Sequence, residues 1–145
     1  MTAILLLLSV FLYCTVQAAP PNHITSPEDI KEDIKQRERI GLDCLKQIGL
    51  NKTIVEKAVR SIEFVEDRKY KEFLACSYKQ QGFQSDDGEI LYDNLIDYLS
   101  TFYKTADLKS LDDCRAVGGS TDGERAFNSM KCIISGLRKI DQKKA

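Results

Sequence analysis

The side chains in this 145-residue chain with the widest chemistry are its five cysteines, Cys14, Cys44, Cys76, Cys114 and Cys132. A thiol can attack an electrophile, ligate a metal or close a disulfide, and its surroundings decide which. Nucleophilic catalysis needs a base, and the single histidine, His23 in "APPNHITSP", has no serine or acid set around it in a catalytic pattern. Zinc needs closely spaced soft ligands, and there is neither a C-x2-C pair nor a second histidine. The thiol of Cys76 in "KYKEFLACSYKQQGF" therefore reads as half of a staple, provided the chain matures where disulfides form.

The first residues bear on that condition. "MTAILLLLSVFLYCTVQA" carries no charge and holds an apolar run over 4–13, followed by small and polar residues. Val16 and Ala18 suit positions −3 and −1 of a signal-peptidase site, and the run is shorter than the ~20 residues a membrane span needs. We expect 1–18 to be a signal peptide and 19–145 a single domain that is secreted, extracellular and not inserted in a membrane. Cys14 leaves with the signal. The even four that remain predict two disulfides, with three possible pairings.

Composition narrows the function further. Net charge is −1, and acids and bases interleave along the helical segments as on a solvated surface. No basic stripe or nucleic-acid motif is present, so we expect no nucleic-acid partner. No Gly-rich phosphate loop or catalytic pairing appears, so we expect no enzyme and no cofactor or metal. A pair of acids could hydrolyse a glycoside, but each acid here reads as helix-surface charge.

The elements that must position the four thiols read as six short helices without strands. The first begins at Ser26 as N-cap with Pro27 behind it, carries Ile30, Ile34, Gly41, Cys44, Leu45 and Ile48 at helical spacing, and stops at Gly49. The second begins at Asn51 or Thr53; Thr53 and Glu56 have capping-box spacing. A third ends at Gly82, and the turn "QSDDG" leads to a fourth bearing Leu91, Leu95, Tyr98, Leu99 and Phe102. The fifth runs near 105–117 with Leu108, Leu111 and Cys114. After "GGSTDG" the last carries Phe127, Met130, Ile134, Leu137 and Ile140. Each has one apolar stripe, so all must converge on a shared centre.

Set on these helices, the cysteine spacing is specific. Between successive cysteines from Cys44 to Cys132 lie 31, 37 and 17 residues. The chain resembles the insect odorant-binding proteins, the pheromone- and general-odorant-binding family, whose usual members carry six cysteines. In the family the second and third are separated by three residues and the fifth and sixth by eight. On that pattern Cys44 matches the first, Cys76 the third, Cys114 the fourth and Cys132 the sixth. Glu72 stands where the second belongs and Gly123 where the fifth belongs. Those two pair with each other in the family, so one complete bridge is absent and no thiol is orphaned, as in the four-cysteine "Minus-C" subgroup. The stretch "CSYKQQGFQSDDGEI" is similar to the family's helix end, glycine and Asp-Gly turn before the fourth helix.

The resemblance implies an all-α fold around an apolar cavity, with Cys44 bonded to Cys76 and Cys114 to Cys132. It implies a carrier of small hydrophobic molecules such as odorants or pheromones, a small apolar ligand and a chemosensory receptor as partners, and a monomer or weak dimer. It also implies a more adaptable and less stable pocket than in six-cysteine relatives. The ligand-lining candidates are Phe73, Leu91, Leu95, Tyr98, Leu99, Leu111, Phe127, Met130 and Ile134, each of which would serve equally as ordinary core. Tyr78 and Tyr98 are candidates to hydrogen-bond a ligand oxygen, although a tyrosine more often wets its hydroxyl. His23 is read as solvated rather than as an acid switch, and the tail after Cys132 as a helix end rather than a plug. Asn51-Lys52-Thr53 is a glycosylation sequon whose competing reading is a helix cap. The alternative function is a secreted helical signalling or interaction protein without a small-molecule ligand.

Overall fold

In the computed structural model, which describes residues 26–61 and 64–145, the helix starts follow from local capping chemistry. Ser26 Oγ accepts the Asp29 N–H at 3.1 Å while the Asp29 carboxylate accepts the Ser26 N–H at 3.2 Å. This reciprocal cap starts α1 (Pro27–Ile48), which runs to Gly49, whose φ of 69° turns the chain away. Asn51, rather than Thr53, caps α2 (Lys52–Ser61), its side-chain oxygen accepting the Thr53 N–H at 3.0 Å. The expected Thr53–Glu56 box is replaced: Thr53 lies inside the helix and Glu56 pairs with Lys52 at 3.5 Å. Asp67 caps α3 (Arg68–Gln80) by accepting the Tyr70 N–H at 2.8 Å, and the chain leaves at Gly82. A short turn closed by an antiparallel bridge between Gln84 and Ile90 leads to α4 (Tyr92–Leu99). Then come α5 (Thr105–Leu108), a 3₁₀ helix (Lys109–Ala116) and α6 (Asp122–Lys144), capped by Thr121.

The described residues thus form six α-helices, as expected, with three departures. The helices are not all short, since α1 and α6 have 22 and 23 residues. α4 stops at Leu99 because the Ser100 hydroxyl donates back to the Asp97 carbonyl at 2.6 Å, competing with the next helical turn. Phe102 therefore lies beyond the helix and is 48% exposed. The fifth segment tightens into a 3₁₀ helix at Lys109, where the Ser110 hydroxyl donates to the Asp107 carbonyl three residues back.

By contacts the described chain divides within α1: residues 26–32 fall with an N-terminal unit, and Asp33–Ala145 is the body that carries every site below. Its most extensive helix pairing is α3 on α6. Cys44–Cys76 joins α1 to α3, and Cys114–Cys132 joins the 3₁₀ helix to α6, the pairing the resemblance implied. Among the described residues no helix is long and apolar enough to cross a membrane. The expected signal peptide, residues 1–18, and His23 lie outside the described residues.

Candidate ligand-binding interior

The apolar stripes meet in two buried clusters. The first gathers Cys44, Leu50, Ala58, Tyr70, Phe73, Leu74 and Phe127 from α1, α2, α3 and α6. The second gathers Tyr92, Leu108, Leu111, Cys114, Ile133 and Ile140 from α4, the 3₁₀ region and α6. Helix α6 serves both, because Phe127 and Met130 fall on the first and Ile133, Leu137 and Ile140 on the second at three- and four-residue spacing. One disulfide sits in each cluster.

The nine lining candidates distribute unevenly over this frame. Phe73, Phe127 and Met130 come together in the first cluster, and Leu99 and Leu111 in the second. Leu95 is buried and Ile134 half-buried, outside the residues that define either cluster. Leu91 lies at the start of α4 and lines an open surface cavity of about 710 Å³ with Tyr92, Arg115 and Arg125. Tyr98 belongs to an outer aromatic group: the Arg37 guanidinium lies 4.0 Å over its ring, and Phe83 and Phe102 flank it at 5.6 and 5.4 Å. Arg37 is held there by the Asp33 carboxylate at 2.8 Å and the side-chain oxygen Oε1 of Gln81 at 3.0 Å. Leu111 also floors a second surface cavity of about 490 Å³ beside the Cys114–Cys132 bridge.

Three hydroxyls lie in or beside the first cluster. Tyr70 is 4% exposed, yet the contact its hydroxyl makes is a long 4.0 Å approach to Met130 Sδ. Ser129 is 1% exposed and its Oγ has no hydrogen-bond partner, not even the carbonyl four residues back that helical serines commonly use. Tyr78, two turns along α3 from Tyr70, lies beside Ser129. Burial pushes its phenol up to about 12, with Ser129 drawing it partly back and Tyr70 adding to the rise. A buried hydroxyl left unpaired costs ~1–3 kcal/mol, so such a group calls for a physical reason. Sequence reasoning singled out Tyr78 but passed over Tyr70 and Ser129. The spacing of Tyr70 with Phe73 on α3 was a usable signal, whereas a lone serine between Asn128 and Met130 on a helix carries none.

No group of three or more metal-ligating side chains occurs among the described residues. What the arrangement offers chemically is apolar surface, polarizable sulfur and aromatic rings with a few uncharged hydroxyls.

The sequence model described as the PBP/GOBP family matches residues 26–135, which spans α1 to most of α6. The chain belongs to the PBP/GOBP family. Two solved structures share the fold of this family member. A fatty acid binding protein, OBP56a, from the oral disk of the blowfly Phormia regina is 19% identical, with a TM-score of 0.62 over 81% of this chain and 99% of that one. The odorant-binding protein dmelOBP28a from Drosophila melanogaster is also 19% identical, with a TM-score of 0.64 over 75% and 95%. No curated protein matches significantly. PBP/GOBP proteins are carriers of small hydrophobic ligands rather than enzymes.

Within the PBP/GOBP frame, the two positions that lack cysteines lie together. Glu72 and Gly123 line one open cavity of about 700 Å³ between α3 and the start of α6. Glu72 is exposed and pairs with Arg68 at 3.0 Å. Gly123 is buried against α3: a Cβ there would lie 3.0 Å from both the carbonyl carbon and oxygen of Lys71 and 3.1 Å from its Cβ. Direct backbone contact occupies the place of a bridge.

Proposed function

We propose that this protein is a secreted carrier that reversibly binds small hydrophobic molecules, such as odorants, pheromones or similar semiochemicals, in its apolar interior. The observation that carries the reading is the family match over residues 26–135. The clustered apolar side chains around α6 support it, and the blowfly relative, by its name, binds fatty acids. Burying roughly 300 Å² of ligand at ~25 cal/mol/Å² contributes about 7–8 kcal/mol gross, before the costs of association. Micromolar binding needs ~8 kcal/mol, so affinity is moderate and selectivity rests on cavity shape and a few polar groups.

The lining we propose is Phe73, Leu91, Leu95, Tyr98, Leu99, Leu111, Phe127, Met130 and Ile134, with the Phe73–Phe127–Met130 group as its best-supported part. The absence of the third bridge supports membership of the Minus-C subgroup, and in this reading residues 1–18 are a signal removed before Ala19. A chemosensory receptor is its further partner, and the carrier works as a monomer or weak dimer. Oxygen Oδ1 of Asn51 is already used as a helix cap, which leaves the amide nitrogen of the sequon as the point where a sugar would attach.

The test is displacement of a fluorescent apolar probe by long-chain alcohols, esters and terpenoids, using protein recovered from the medium of secreting cells. Micromolar displacement is expected, with Ala19 as the first residue. Absence of probe binding would remove the carrier reading.

A further inference from the structure

We infer that the open cavity between the 3₁₀ helix and the second half of α6 is a second ligand site, which takes a small organic anion with an apolar body. It opens at the surface, apart from the interior in which the carrier reading places its guest. At about 490 Å³ it has the size of a small-molecule site, and Leu111, Ile140 and the Cys114–Cys132 bridge form its floor. That floor is fixed. Gly136 lets the 3₁₀ helix lie directly on α6, since a Cβ there would overlap Leu111 Cδ2, and the bridge ties the same two elements. A site built on elements already held in place loses little freedom when it binds.

Charge decides what the cavity takes. Lys139 and Lys143 stand one helical turn apart on its rim, both exposed, and neither has an ion-pair partner among the described residues. The other charges at this end of α6 are engaged elsewhere. Lys144 pairs with Asp107 at 3.0 Å, the Tyr103 hydroxyl donates to Asp141 at 3.3 Å, and Arg138 lies 5.9 Å from the centre of the Phe64 ring. Asp141 is the sole acid of α6 beyond Glu124. The one carboxylate on the cavity lining is Asp113, so two ammonium groups face a single acid. Ser135, one turn before Lys139, adds an uncharged hydroxyl beside them. The ammonium pair disfavours a cation, and the apolar floor gives a bare, hydrated ion nothing to touch. A carboxylate or sulfonate carried on a ring or short chain satisfies both. Its charged head stays at the wet rim, which avoids the penalty of burying an ion.

The experiment follows the backbone amide resonances of the isotope-labelled mature chain at neutral pH during titration with benzoate, benzyl alcohol and benzylammonium, which share a ring and differ in charge. Benzoate is expected to shift residues 110–114 and 135–143 saturably, and to bind there about 3–10-fold tighter than benzyl alcohol, with benzylammonium weakest. Lys139→Gln with Lys143→Gln should remove the preference for benzoate, and Lys139→Arg with Lys143→Arg should keep it. Both lysines are exposed, so neither pair of changes should lower the melting temperature, and a lost preference cannot be put down to misfolding. The site is wrong if benzyl alcohol or benzylammonium binds there as tightly as benzoate, if the glutamine pair keeps the preference, or if the arginine pair loses it. It is equally wrong if benzoate shifts no amide, or shifts those of α3 and the start of α6 instead; that last outcome would put benzoate in the interior and leave the carrier reading standing. Failure of a fluorescent apolar probe to bind would remove the carrier reading and leave this site untouched.

Discussion

Gly123→Ala tests the contact that stands in place of the third bridge. The added Cβ would sit 3.0–3.1 Å from three atoms of Lys71, against about 3.5–4.0 Å for an unstrained carbon contact. The Lys71 backbone cannot give way alone, because its N–H is bonded to the Asp67 carbonyl at 3.0 Å in the capped first turn of α3. The start of α6 must instead shift by a few tenths of an ångström, which loosens Phe127 against the Tyr70 ring, now at 6.4 Å. Overpacking of this kind costs about 1–3 kcal/mol, offset by up to ~1 kcal/mol from the higher helix propensity of alanine. The expected net loss of ~1–2 kcal/mol lowers the melting temperature by about 4–8 °C. Gly118→Ala is the control, since a Cβ there meets nothing within 4 Å; it should be neutral or slightly stabilising. Thermal unfolding followed by circular dichroism reads both variants. A Gly123→Ala protein as stable as the Gly118→Ala control would refute the reasoning.

Other outcomes follow from the same structure. Phe127→Ala, at a side chain 1% exposed and flanked by the Phe64 and Tyr70 rings, should cost ~3–5 kcal/mol in urea unfolding, and a loss below 1 kcal/mol would contradict its place in the core. Replacing either cystine by two alanines should cost about 3–4 kcal/mol by the chain-entropy account. The Cys44–Cys76 pair, with a separation of 32 against 18, should cost the more by about half a kcal/mol, and the reverse order in urea unfolding would count against that account. Ultraviolet titration should show a phenol still protonated near pH 11 that is missing in Tyr78→Phe. Because the folded state keeps that proton when the unfolded chain has lost it, this contribution is intact below pH 10 and is lost between pH 10 and about 12, worth ~2–3 kcal/mol. Release of every phenol near pH 10 would contradict the burial of Tyr78.

How far the structure could be read in advance depended on whether a feature is local. Ser26, Gly49, Gly82 and the cysteine spacings were legible, because capping, positive φ and loop lengths are written within a few residues or as one-dimensional distances. The 3₁₀ segment and the early end of α4 were not, since each turns on one serine hydroxyl choosing a backbone carbonyl over solvent. All nine lining candidates are buried or half-buried. Which cluster each joins is set by how α3, α4 and the 3₁₀ helix lie on α6, and no periodicity records that. Arg37 over Tyr98 and Ser129 among the α3 tyrosines are missed for the same reason: their partners are 61 and about 50 positions away.

The two staples have a consequence for how the molecule opens. Each bridge closes within one apolar cluster, and neither crosses to the other. With no disulfide between the clusters, α6 is the described element common to both, so each can unfold and reclose as a cooperative unit of its own along that helix. Native-state hydrogen exchange should accordingly resolve two protection classes, one for α1–α3 and one for α4 through the 3₁₀ helix, with the amides of α6 divided near Met130.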